Sequence, residues 1–146
     1  MPQFDQEKMT KLVSEFRKSV LRLQKLKELG KVKFLKDPDK IGSAKYHFIV
    51  AIESAIDMCN HVISRNGYRV PEDYGDTFKV MYEEKAFNVE FSEELLKMAK
   101  FRNRLVHLYW DWEIDDIRVY QILEDCLGDF KKFIDSIARF LKWDPE

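Results

Sequence analysis

The sequence predicts an all-α fold, an antiparallel helical bundle of about five helices. Apolar residues recur in steps of three and four along most of the chain, which is the spacing of one buried helix face. No alternating pattern long enough for a half-buried strand occurs. With 5 Gly and 4 Pro in 146 residues, the chain lacks the turn-rich composition of a sandwich.

The first helix is expected at residues 3–29, with Leu12, Val13, Phe16, Val20, Leu23 and Leu26 on its inner face and Gly30 ending it. Residues 31–41, containing Asp37-Pro38, read as a connector. Ser43 then stands as N-cap of a second helix at 44–65, whose stripe of Phe48, Ile49, Ile52, Ala55, Ile56, Cys59, Val62 and Ile63 marks it as a core helix. Asn66-Gly67 ends it, and a loop at 68–75 carries Pro71. A short helix at 76–85 follows. Ser92 opens a fourth helix at 92–110, and a fifth at 114–142 carries Ile117, Tyr120, Leu123, Leu127, Phe130, Ile134, Ile137 and Leu141.

At this length one domain over residues 1–146 is expected. Cys59 and Cys126 stand apart among apolar neighbours and read as free thiols, and no Cys/His spacing resembles a metal site. No cofactor is implied. No signal peptide is visible and no apolar run approaches the roughly 20 residues of a membrane span, so a cytoplasmic protein without a membrane partner is expected. The formal net charge of −1 does not announce a nucleic-acid binder. Its distribution is more telling: residues 95–110 carry four basic and no acidic side chains within an acidic second half, a local setting suited to an anion.

That stretch holds Arg102-Asn103-Arg104-Leu105-Val106-His107-Leu108-Tyr109. Arginine is a permanent cation able to hold developing negative charge, and histidine is the side chain that titrates near neutrality; together they can move a proton beside a phosphate. On a regular helix, Arg102 and His107 are five residues and about 140° apart, so one helix does not aim both at one point. Arg102 and Tyr109 share a face, as do Asn103 and His107, which lets the amide orient the imidazole. Convergence calls for arginine's long stem, a fraying helix end, or a second copy across a two-fold axis. The last is preferred, hence a symmetric homodimer. Taken singly, a histidine beside Val106 and Leu108 is more often a packed core residue, and an arginine more often a salt-bridge partner.

Arg102, four intervening residues, His107, one residue and Tyr109, with Asn103 directly after the arginine, resemble the signature of the HEPN superfamily, in particular its HepT-like toxin branch. The second helix, Ala51-Ile52-Glu53-Ser54-Ala55-Ile56-Asp57 leading to His61, and the loop Tyr68-Arg69-Val70-Pro71-Glu72-Asp73-Tyr74 are also similar to that family. So is Ile114-Asp115 beyond the motif. The likeness runs from about residue 44 to 140, with the first helix similar only in its amphipathic character.

This resemblance implies a metal-independent endoribonuclease toxin of a type VII-like toxin–antitoxin pair. It would cleave RNA by 2′-hydroxyl transphosphorylation at a dimer interface, with Arg102 and His107 as the catalytic residues. The partner implied is a minimal nucleotidyltransferase antitoxin that attaches AMP to Tyr109. Arg104 and Lys100 stand as phosphate-positioning groups, and Trp110 and Trp112 as residues able to stack on bases. Glu53, Asp57 and His61 recur every four residues on the polar side of the second helix; they stand either as lining for the cleft, with Asp57 or Glu53 orienting His107, or as a solvated face. His47 has no evident partner. Two other readings stay open: a non-catalytic nucleotide-binding or scaffolding subunit of a nucleotidyltransferase complex, and a dimer in which the motif only seals the interface.

Overall fold

The structure, a computed structural model, describes residues 2–107 and 115–145. Among these residues it is an all-α bundle of six helices: α1 (Gln6–Glu28), α2 (Lys31–Leu35), α3 (Pro38–Asn66), α4 (Tyr74–Glu83), α5 (Val89–Val106) and α6 (Asp116–Leu141). No strand occurs among the described residues. No described helix is long and apolar enough to cross a membrane.

α1 begins where the Asp5 carboxylate accepts from the Lys8 N–H, and it buries Met9, Val13, Phe16, Ser19, Leu23 and Leu26 at helical spacing. Gly30 follows its cap at φ +84°, a conformation that disfavours any side chain there. The expected connector contains α2, a single turn whose Phe34 is fully buried and lies 5.1 Å from the Tyr120 ring.

The N-cap of α3 lies six residues before the Ser43 cap expected from the sequence. Asp37 is the N-cap, accepting from the Asp39 and Lys40 N–H groups, and Pro38 takes the first helical position, where its missing N–H costs nothing. At 29 residues α3 is the spine of the bundle and packs against all five other helices, most extensively α1. Gly67 ends it in the left-handed conformation, as the sequence predicts.

α5 likewise starts earlier than expected. Asn88 caps it by accepting from the Phe91 N–H, while Ser92 lies in its first turn and donates to the Val89 carbonyl. It ends at Val106 with His107 as the C-cap at ψ 42°, and residues 108–110, expected in the same helix, lie outside the described residues. Phenylalanines tie the helices together. Phe16 meets Phe130 edge-on at 5.5 Å, and Phe48 of α3 meets Phe101 of α5 at 5.2 Å. The second contact fixes α5 on α3 one residue before Arg102.

Candidate active site

Arg102 sits on a face of α5 whose helical neighbours are apolar. Leu95, Met98, Ala99 and Leu105, at positions −7, −4, −3 and +3, are all buried. The arginine is therefore directed along the flank of the core, and its side chain keeps only 12% of its surface exposed. A cation placed there requires an anion beside it. Glu53 of α3 supplies one: Arg102 Nη2 donates to Glu53 Oε1 at 2.7 Å. Nη1 donates to the Asn103 side-chain oxygen at 3.1 Å, and the guanidinium lies 4.6 Å from the centroid of the Tyr74 ring. The remaining donor, Nε, is buried without an acceptor among the described residues.

Tyr74 is the first residue of α4, and its position is set by a network in the preceding loop. Asp73 caps α4 by accepting from the Asp76 N–H at 2.7 Å. Arg69 grips Asp76 with both terminal nitrogens, at 2.7 and 2.8 Å, and reaches Glu83 through Nε at 2.8 Å. The Glu72 N–H also donates to Asp76. Arg69's hydrogen bonds, then that backbone donor, bring the Asp76 carboxyl down to about 2. Gly75 permits the close approach of α4 to α5: a Cβ built there would stand 2.5 Å from Leu96 Cδ1. Sequence reasoning placed Tyr74 in a loop and missed it as an arginine partner. The signal available was Asp73 followed by Asp76, the spacing of a helix start.

His107 occupies the exposed C-cap of α5, five residues beyond Arg102, with its backbone N–H donating to the Asn103 carbonyl at 3.1 Å. Lys100 and Arg104 are exposed on the α5 face that also carries His107, away from Arg102. Tyr109, Trp110 and Trp112 lie outside the described residues, and so does any face shared by Arg102 and Tyr109.

The row Glu53, Asp57, His61 divides into three roles. Glu53 holds Arg102. Asp57 is exposed and makes no side-chain hydrogen bond among the described residues; partial burial, then the charge of Glu53, raises its carboxyl, with Lys8 opposing. His61 does not line a cleft with the motif. It is buried, and its Nε2 accepts from the Asp5 N–H at 2.8 Å, clamping the entry to α1. His47, for which the sequence suggested no partner, has the Ser19 hydroxyl 3.2 Å from its Nδ1.

Among the described residues, no group of three or more His, Cys, Asp or Glu is placed to hold a metal ion. A groove of about 1000 Å³ between the α4–α5 turn and α6 is lined by residues such as Glu83, Phe87, Phe91, Glu94, Lys132 and Arg139. Its charges are of both signs, and among the described residues none of the motif borders it.

An all-α bundle with an arginine held by a neighbouring helix and a histidine at the end of the arginine's own helix describes a domain of the HEPN kind. The chain belongs to the ribonuclease HepT-like family, whose model matches residues 13–137 and so extends into α1, beyond the likeness read from the sequence. A Shewanella oneidensis relative named mRNA nuclease HepT is 31% identical over 85 residues, which make up 58% of this chain and 62% of that one. The match thus spans a little under two thirds of the Shewanella protein. An Archaeoglobus fulgidus relative is 29% identical over 108 residues, 74% of this chain and 80% of its own. Among solved structures, the tri-AMPylated Shewanella oneidensis HEPN toxin in complex with MNT antitoxin matches with a TM-score of 0.82 at 24% identity. That match covers 90% of this chain and 96% of the toxin, and it speaks for the fold.

Proposed function

We propose that this protein is a metal-independent endoribonuclease toxin acting as a symmetric homodimer in the cytoplasm. The observation that carries this reading is the pairing, in a chain of the ribonuclease HepT-like family, of Arg102 and His107 at the same end of α5. Because α5 directs Arg102 along the core flank and ends at His107, one chain leaves the two groups on divergent faces. A two-fold axis beside α5 brings the arginine of one copy toward the histidine of the other. The free thiols Cys59 and Cys126 accord with a reducing compartment.

The chemistry follows from the two groups. The ribose 2′-oxygen attacks the adjacent phosphorus, the bond from phosphorus to the 5′-oxygen breaks, and the products are a 2′,3′-cyclic phosphate and a 5′-hydroxyl. His107 moves the proton, either off the 2′-hydroxyl or onto the departing 5′-oxygen. Arg102 stabilises the negative charge that accumulates on the phosphoryl oxygens. Asn103 supports the arginine from the next position, Asp57 adds a carboxylate along the α3 side, and Lys100 and Arg104 position neighbouring phosphates. A minimal nucleotidyltransferase antitoxin silences the site by attaching AMP to Tyr109, which puts a bulky anion two residues beyond the histidine.

The test is RNA cleavage by the purified chain in excess EDTA, together with growth on induction. Arg102→Ala and His107→Ala are expected to remove both RNA cleavage and growth arrest. Tyr109→Phe is expected to keep both and to escape the antitoxin. Cleavage that persists in folded Arg102→Ala or His107→Ala protein overturns the mechanism. Nucleotide binding with RNA left intact favours the scaffolding role instead.

A further inference from the structure

The pose of Arg102 is not one that can grip a phosphate. A guanidinium presents two forked edges to an oxyanion, Nη1 with Nη2 and Nη2 with Nε. Nη2 belongs to both edges, and it is given to Glu53 at 2.7 Å. Nη1 is engaged by Asn103, and Nε is buried without an acceptor among the described residues. Tyr74 lies against the guanidinium. An incoming phosphate therefore finds no complete fork. The carboxylate in its way is easily dislodged, because Glu53 retains 39% of its side-chain exposure and holds the arginine through one oxygen.

We infer that Glu53 is a built-in competitor for the arginine's anion site: it holds Arg102 in a neutralised, parked pose, and a substrate phosphate must displace it to complete the fork. This rests on the reading of Arg102 as the phosphate-binding group. The buried, unsatisfied Nε–H accounts for the direction of the exchange. The parked pose leaves one strong donor unused, and a turn of the guanidinium toward a phosphate satisfies it. Glu53 thereby becomes a specificity-determining residue. A lone phosphate competes with the carboxylate on even terms. A polynucleotide, also held by Lys100 and Arg104, brings its phosphate at high local concentration and wins. Small anions therefore fill the site only in part, whereas RNA opens it.

The experiment measures binding of an oligodeoxythymidylate of about ten nucleotides by fluorescence anisotropy; it lacks the 2′-hydroxyl and so is not cleaved. The full chain is compared with Glu53→Gln, Arg102→Ala, their combination, and Asp57→Asn, each first checked for helicity and a cooperative melt. Glu53→Gln is expected to bind about threefold to tenfold more tightly. The gain should vanish in the double variant, and Asp57→Asn should give less than half of it. Two results overturn the competitor role while leaving Arg102 as the phosphate seat: unchanged or weaker binding by Glu53→Gln where Arg102→Ala is impaired, or an equal gain from Asp57→Asn, which reports a general charge effect. Arg102→Ala binding as well as the unaltered chain removes the phosphate seat, and the competitor role goes with it.

Discussion

Glu53 Oε1 stands 2.7 Å from Arg102 Nη2, joining residues 49 positions apart in sequence and making α3 the anchor of the motif arginine. With 12% of the Arg102 side chain exposed, this pair bears on local stability. Replacing Glu53 by Leu strands a cation against Leu95, Met98 and Leu105, and is expected to cost about 1–2 kcal/mol, less than a fully buried pair because Glu53 is partly solvated. Glu53→Gln keeps an oxygen acceptor for Nη2 and should cost less than about 1 kcal/mol. Urea midpoints at constant m separate the two; equal losses would mean that the retained oxygen acceptor contributes little and that the carboxylate's charge carries the effect.

Tyr74 makes its own prediction. The ring face opposite Arg102 is what matters, so Tyr74→Phe should be nearly silent in stability, whereas Tyr74→Leu should lose roughly 0.5–1 kcal/mol with the cation–π contact. Arg69→Ala, which releases the clamp on Asp76 and Glu83, should reproduce part of the Tyr74→Leu loss of stability, and both should slow cleavage, without touching Arg102. Thermal melts and initial cleavage rates on the three variants check this. A Tyr74→Phe variant as impaired as Tyr74→Leu would shift the role to the phenol hydroxyl.

How far the site could be read from the sequence depends on how local each signal is. The long stripes of α1, α3 and α6 are repeated over many turns, and they identify those helices. Starts are single events: Asp37-Pro38 reads as a breaker although Pro38 suits the first helical position, and Asn88 is overlooked beside Ser92. α2 is one turn with one buried anchor, Phe34, too short for periodicity to register. Arg102 and His107 stand out by residue type. Leu95, Met98, Ala99 and Leu105 share the face of Arg102, a local sign of its burial that is overlooked beside its charge. Its partners were not legible: Glu53 and Tyr74 reach it only through the packing of α3 and α4 on α5, which no spacing within one helix encodes.

His61 sets a pH dependence. Burial, then the charges of Lys8 and Arg65, lowers its pKa, and its Nε2 must stay unprotonated to accept from the Asp5 N–H. A base with a depressed folded pKa contributes stability that is present above its unfolded value, near 6.5, and lost as pH falls through the folded value. Stability should therefore decline as pH is lowered from about 7 toward 5. His61→Gln, which can still accept through its side-chain oxygen, should flatten that slope. Some slope should remain, because burial and Arg22 depress His47 in the same sense. Denaturant midpoints across this range measure both slopes; identical slopes would place the titration elsewhere.

The last prediction concerns the exposed basic face of α5. If Lys100 and Arg104 hold RNA phosphates on either side of the cleaved bond, each adds a counterion-release term and no chemistry. Binding to single-stranded RNA should then lose about 0.7 in salt slope for each contact removed, and about 1.4 in the Lys100→Ala/Arg104→Ala variant. At saturating RNA the cleavage rate should stay near that of the unaltered chain while KM rises, since uniform binding has been removed and the proton transfer at His107 has not. Arg104 lies three residues before the His107 cap, so Arg104→Ala also tests whether the helix end depends on that charge. A fall in the rate at saturation, with the salt slope unchanged, would assign Arg104 to the reaction itself.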